Sequence, residues 1–133
     1  MTDAEFITAF EKATLPRPFW THEAHIRMAY LYLRGLPDAN LVLPMVRERI
    51  RFYNEAHGNK TGYHETITVA FLTLVAQRLR SGEGTHSWEE FRTAHNDLIG
   101  GGMAILRHYY TEEILFSPEA RVYFIAPNRI PLP

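Results

Sequence analysis

The sequence predicts an all-α domain, a compact helical bundle of four to six helices with an extended C-terminal strap. Three observations predict it. Apolar residues recur at spacings of three and four in successive segments. Helix-start signals, Thr2-x-x-Glu5, Thr21 and Ser87-x-x-Glu90, precede those stripes. The ending Ala126-Pro127-Asn128-Arg129-Ile130-Pro131-Leu132-Pro133 carries too many prolines to be regular helix. At 133 residues the chain reads as one domain, 1–133, long enough to bury a single core without staples.

The first helix opens on the capping box at Thr2 and Glu5 and shows a stripe of Phe6, Ile7, Phe10 and Ala13. Leu15-Pro16-Arg17-Pro18 stops it. The second starts at Thr21 and runs to about Leu36, where Gly35 and Pro37 close it. Its stripe is His22, His25, Ala29, Tyr32 and Leu36, opposite Glu23, Arg27 and Arg34, so both histidines fall on the inward face. The third lies between Asp38 and His57, with Val46, Ile50 and Tyr53 as its buried line. Pro44 implies either a short helix before it or a helix start near it.

A glycine-flanked loop, Gly58 to Gly62, leads to the fourth helix, from near Tyr63 to about Arg80. It is apolar nearly all round, which makes it central. A strand over Thr66 to Leu74 is the competing reading, and length favours helix. Ser87 opens a further helix that ends before Gly100-Gly101-Gly102. A short helix follows from Met103 to Tyr109, and Thr111 caps one more turn. Ser117-Pro118-Glu119-Ala120 reads as a turn or a short helical start, and Val122 to Ile125 as a short extended run.

Composition narrows function. The net charge is −1, and the densest basic stretch, Arg47, Arg49 and Arg51, is interrupted by Glu48, so no nucleic-acid footprint is expected. The absence of cysteine excludes disulfides, thiolate metal sites and cysteine nucleophiles. No run approaches the roughly 18 apolar residues of a membrane span. The acidic start Met1-Thr2-Asp3-Ala4-Glu5 lacks a signal-peptide pattern, and the expected compartment is the cytoplasm.

The chemistry-bearing residues are inward and ionisable. His22 and His25, at i and i+3, are neighbours on one helix face, and two imidazoles so placed can approach one metal. His64 lies in line with Thr68, Phe71 and Val75. Glu65 shares a stripe with Val69, Leu72 and Ala76, where a lone carboxylate is costly to bury. Adjacent helical residues diverge by about 100°. The expected division therefore gives a divalent metal (zinc, iron, nickel or manganese) to His22, His25 and His64, with Glu65 as general base. The reverse, with Glu65 as ligand, stays open. If the third helix runs antiparallel to the second and fourth, all four residues gather at one end of the bundle. Tyr63 is a candidate donor to a substrate oxygen, and Arg121 a candidate carboxylate clamp. Satisfied core histidines, a first-turn Glu favoured by the helix dipole and a surface salt bridge are the plain alternatives. His57 reads as a partner for a helix C-terminus, and His86, His95 and His108 as structural or surface residues.

Phe19-Trp20-Thr21-His22-Glu23-Ala24-His25, Gly62-Tyr63-His64-Glu65-Thr66 and Ser117-Pro118-Glu119-Ala120-Arg121 through Pro127-Asn128 resemble a family of small bacterial helical proteins with a His-x-x-His and Gly-Tyr-His-Glu-Thr signature. The likeness covers most of the chain and implies no substrate. The family pattern has an aspartate where Asn128 stands, which puts a carboxylate role there in doubt. In plan alone the chain is similar to metal-binding four-helix bundles of the damage-inducible and mycothiol-dependent isomerase type. Those draw three histidines from two helices, with the pair later and at i,i+4. The leading expectation is a metal-dependent hydrolase, isomerase or lyase acting on a small polar molecule. A non-catalytic small-molecule-binding module and a metal-free His/Glu acid–base enzyme are the alternatives. A homodimer stays open.

Overall fold

Helices and turns make up all the regular structure of the computed structural model, which describes every residue from Met1 to Pro133; no strand forms. Helix α1 (Asp3–Glu11) begins on a complete capping box. Thr2 Oγ1 accepts from the Glu5 N–H at 3.1 Å, and Glu5 accepts from the Thr2 N–H at 3.0 Å. Helix α2 (His22–Leu33) is capped by Thr21, whose hydroxyl accepts from the Ala24 N–H at 3.2 Å. It ends before the expected Leu36, leaving Arg34 to Pro37 as a turn.

Helix α3 (Ala39–Ala56) is one continuous helix with Pro44 inside it. Neither a break nor a start occurs at the proline. Pro44 is exposed, so water can reach the carbonyl four residues back that loses its N–H partner. Helix α4 (Glu65–Ser81) carries buried residues on most sides, among them Ala70, Phe71, Leu72, Leu74, Val75 and Ala76. It packs against α2, α3 and a short C-terminal helix, which makes it the central element. The strand alternative for Thr66 to Leu74 is thereby excluded.

Gly82 terminates α4 in the left-handed region, at φ 82°, with open space where a Cβ would sit. Only backbone conformation opposes a side chain there. Gly82→Ala should cost about 1 kcal/mol in urea denaturation, and an unchanged midpoint would show that this cap tolerates any residue.

After Gly82 the chain breaks into short pieces, taking the number of α-helices to seven rather than four to six. These are α5 (Trp88–Ala94), α6 (Glu112–Leu115) and α7 (Pro118–Val122), with 3₁₀ turns at Arg17–Phe19, Asn96–Leu98 and Ala104–His108. Ser87, Thr111 and Ser117 each cap a following N–H. The expected extended run at Val122 to Ile125 does not become a strand, because Val122 completes α7.

The remaining residues are held by side chains. Thr66 Oγ1 donates to the Tyr123 carbonyl at 2.8 Å and accepts from the Ile125 N–H at 3.0 Å. Tyr110 donates to the Ile125 carbonyl at 2.6 Å. Asn128 accepts from the Thr111 N–H and donates to the Thr111 hydroxyl, both at 3.0 Å, so its amide serves the start of α6.

The buried tyrosines of the core also find partners. Tyr30 donates to the Thr85 carbonyl at 3.0 Å and Tyr53 to the Leu15 carbonyl at 2.7 Å. Residues from the N-terminal ends of α2 and α4 and from the C-terminal end of α3 line one common cavity. At the opposite end Arg80, late in α4, donates to the Pro37 carbonyl beyond α2. These contacts place α2 and α4 side by side in the same direction, with α3 packed antiparallel against α4.

Candidate functional site: a histidine-lined cavity

The cavity measures about 660 Å³, within the range of small-molecule sites. Its floor is buried and apolar: Ile26, Met28 and Ala29 of α2 and Leu72 of α4. Trp20, Tyr53 and Phe71 add aromatic wall. Exposed Arg17, Gly62, Phe116 and Arg121 stand at the rim. Four imidazoles line it: His22, His25, His57 and His64.

Each imidazole is oriented by a backbone carbonyl, and the carbonyl assigns its tautomer, because a ring nitrogen facing an acceptor must carry the proton. His22 Nε2 donates to the Leu98 carbonyl at 2.9 Å, and the ring meets Phe71 edge-on. His25 Nδ1 donates to the Thr21 carbonyl at 2.7 Å, and its ring lies 3.9 Å from the Trp20 ring. His57 Nε2 donates to the Ala13 carbonyl at 3.0 Å. In these three rings the other nitrogen has no hydrogen-bond partner in the protein. His64 differs. Its Nε2 donates to the Leu115 carbonyl at 2.9 Å while Nδ1 accepts from the Ile67 N–H at 3.1 Å, capping α4. Both of its nitrogens are spent.

Burial sets the charge state. It pushes the His25 imidazole down to about 4, a trend that the Thr21 carbonyl opposes only in part. Burial also lowers His64, with a smaller contribution from the nearby Arg121 charge. Both rings are neutral at pH 7.

The expected three-histidine metal centre does not assemble in this arrangement. His22, His25 and His64 share one cavity, yet no group of three His, Asp or Glu side chains is placed to hold a common metal ion. The physical reason is local: His64 is the N-cap of α4 and is already saturated by backbone partners.

Glu65, the expected general base, is placed differently from the three histidines. It does not line the cavity. Arg47 grips it bidentately, Nε to Oε1 at 3.0 Å and Nη2 to Oε2 at 2.6 Å, and the Tyr63 hydroxyl donates to Oε1. These donors hold its carboxyl below the ordinary carboxylate range despite burial. The same bond, together with burial, pushes the Tyr63 phenol up to about 12. Tyr63 lines the cavity, but its hydroxyl is committed to Glu65. Its ring is covered by Arg51 at 4.8 Å.

Arg121 stands at the rim, as a clamp would. One guanidinium nitrogen is fixed by the carbonyls of Thr61 and Tyr63, and no carboxylate pairs with it. The sequence reading missed His57 and Asn54 as cavity residues. The signal was present in the topology: an antiparallel α3 carries its C-terminal Tyr53, Asn54 and His57 to the end where His22 and His64 lie. His95 belongs elsewhere and is satisfied by the Glu83 carbonyl at 2.7 Å and by Arg78. Comparisons with protein-family models, with curated proteins and with solved structures find no match to this chain.

Proposed function

We propose that the chain is a small-molecule-binding module whose ligand occupies the histidine-lined cavity. The observation that carries this reading is the lining itself. An apolar floor and an aromatic wall enclose a ligand-sized volume, and His22, His25 and His57 each leave one ring nitrogen without a protein partner. Such a site buries an apolar body and orients it by a few polar contacts. Binding is favoured over acid–base catalysis that would use Glu65 or His25. Glu65 is saturated, and an imidazole held near 4 is a weak base at neutral pH. It remains a good hydrogen-bond acceptor.

The test uses naphthalene-2-carboxamide, a neutral planar probe, in isothermal titration calorimetry. A one-to-one complex with Kd of roughly 0.1 mM or tighter is expected, equivalent to about 5.5 kcal/mol. Ile67 lines the cavity and is only partly buried. Ile67→Trp should fill the space, weakening binding at least about tenfold, or about 1.4 kcal/mol, while leaving a cooperative unfolding transition. If the amide, 2-naphthol and indole all fail to bind the unmodified protein, the reading is wrong.

A further inference from the structure

The charge pattern of the cavity is one-sided. None of its 23 lining residues is Asp or Glu, and two are arginines, Arg17 and Arg121. Elsewhere in the molecule Arg27, Arg34, Arg47, Arg49, Arg78, Arg92 and Arg107 are paired to carboxylates, whereas Arg51, Arg80 and Arg129, like these two, are not. Arg17 is exposed and has no hydrogen-bond partner among the protein's side chains or carbonyls. Arg121 uses one nitrogen on loop carbonyls. The remaining N–H groups of both guanidinium forks have no protein acceptor.

Resting on the reading of this cavity as a binding site, we infer that its ligand is a small organic anion: a planar apolar body bearing a carboxylate or similar group, with the charge held by Arg17 and Arg121 at the rim. Guanidinium forks match such groups bidentately. The field of both cations reaches inward: Arg121 contributes to the lowered His64 value, and the Arg17 charge is felt at Tyr53. The helix ends add in the same direction. Two positive N-termini, of α2 and α4, meet at this end against one negative C-terminus, of α3. An acid-free wall leaves nothing to repel the anion. Trp20, Tyr53 and Phe71 supply aromatic wall to the body, and the His25 ring nitrogen left free by the Thr21 carbonyl can accept from a hydroxyl or N–H on its far edge.

The deciding experiment compares two probes of nearly equal shape, naphthalene-2-carboxylate and naphthalene-2-carboxamide, by calorimetry at low and high salt. The carboxylate should bind at least tenfold tighter, and the preference should shrink in high salt. Arg17→Gln with Arg121→Gln should abolish the preference, read as the ratio of carboxylate to amide affinity within that variant. Arg121→Gln also loosens the anchor on Thr61 and Tyr63. Arg121→Lys therefore serves as the companion variant, keeping the charge without the fork, and should retain part of the preference. Equal affinity for the two probes in the unmodified protein would overturn the anion assignment alone. So would a preference that survives the double variant. Failure of both probes to bind would overturn the cavity reading beneath it.

Discussion

Arg47→Met should lower the unfolding free energy by about 3 kcal/mol at pH 7, the low end of the cost of stranding one member of a buried ion pair. Glu65 is only 8% exposed, and Arg47 supplies both of its charge-assisted bonds. Without the cation the carboxylate stays in a low-dielectric setting, with only Tyr63 and the start of α4 for support. Those two residual partners, and the 32% exposure of the Arg47 side chain, keep the cost at that low end. The pH dependence gives a second check. The pair holds the Glu65 carboxyl low, so its stabilisation is fully present above the ordinary carboxylate range and is lost as pH falls through the depressed folded value. The gap between variant and parent should therefore close only as pH falls below the ordinary carboxylate range and through the depressed folded value, where Glu65 of the parent protonates. Adding Glu65→Leu to Arg47→Met should recover part of the loss, since an apolar pair strands no charge. Glu65→Gln should leave probe binding within about twofold, under 0.5 kcal/mol, because the carboxylate lies outside the cavity. A loss below about 1 kcal/mol in Arg47→Met would match an exposed pair and return Glu65 to the list of free functional groups.

That pair also shows where the sequence stopped being informative. Helical periodicity placed Glu65 on a buried stripe with Val69 and Leu72, and Glu65 is buried. The stripe also implied that such a carboxylate needs a strong partner, but the partner lies 18 residues away on α3, and no local pattern encodes that contact. His64 was misread for a different reason. A helix start near Tyr63 puts it inside the helical wheel, whereas its backbone is extended, at φ −133° and ψ 109°, and it caps α4 through a ring nitrogen. Capping is usually done by Ser, Thr, Asp or Asn, so a histidine cap carries no clear signal. Where caps used the common residues, as at Thr2, Thr21, Ser87, Thr111 and Ser117, helix starts were legible because the interaction spans only three residues. The gathering of His22, His25 and His64 at one end followed from connectivity. The inclusion of His57 followed from the same connectivity, but needed its ring to turn toward the cavity instead of serving only the helix end.

Acidification should destabilise the protein through His25 before the depressed carboxylates Glu5, Glu65 and Asp97 titrate. In the unfolded chain this imidazole binds its proton near 6.5; in the folded protein burial against Trp20 and the α2 wall delays protonation to about 4. Between those values the unfolded state holds more protons, so stability rises with pH and is lost as pH falls. The contribution is nearly complete at pH 7, reduced by about 2 kcal/mol at pH 5 and by about 3 kcal/mol at pH 4. His64, also lowered by burial, acts in the same direction. The carboxylates Glu5, Glu65 and Asp97 are held below their ordinary values, so their share is lost only at lower pH. No carboxylate lines the cavity to retain a proton on the ring, and the neighbouring His22 opposes one. His25→Asn provides the control. Its amide nitrogen can take the place of Nδ1 toward the Thr21 carbonyl, and it does not titrate. Urea denaturation at pH 7, 6 and 5 should then show the steep loss in the parent and a slope flatter by about 2 kcal/mol over that range in the variant, whatever stability the lost stacking on Trp20 costs at pH 7. Parallel slopes would mean that His25 accepts its proton as freely in the folded state as in the unfolded chain. Its Nε2 would then be no lone-pair acceptor at neutral pH, and the cavity would have to be treated as carrying a further positive charge.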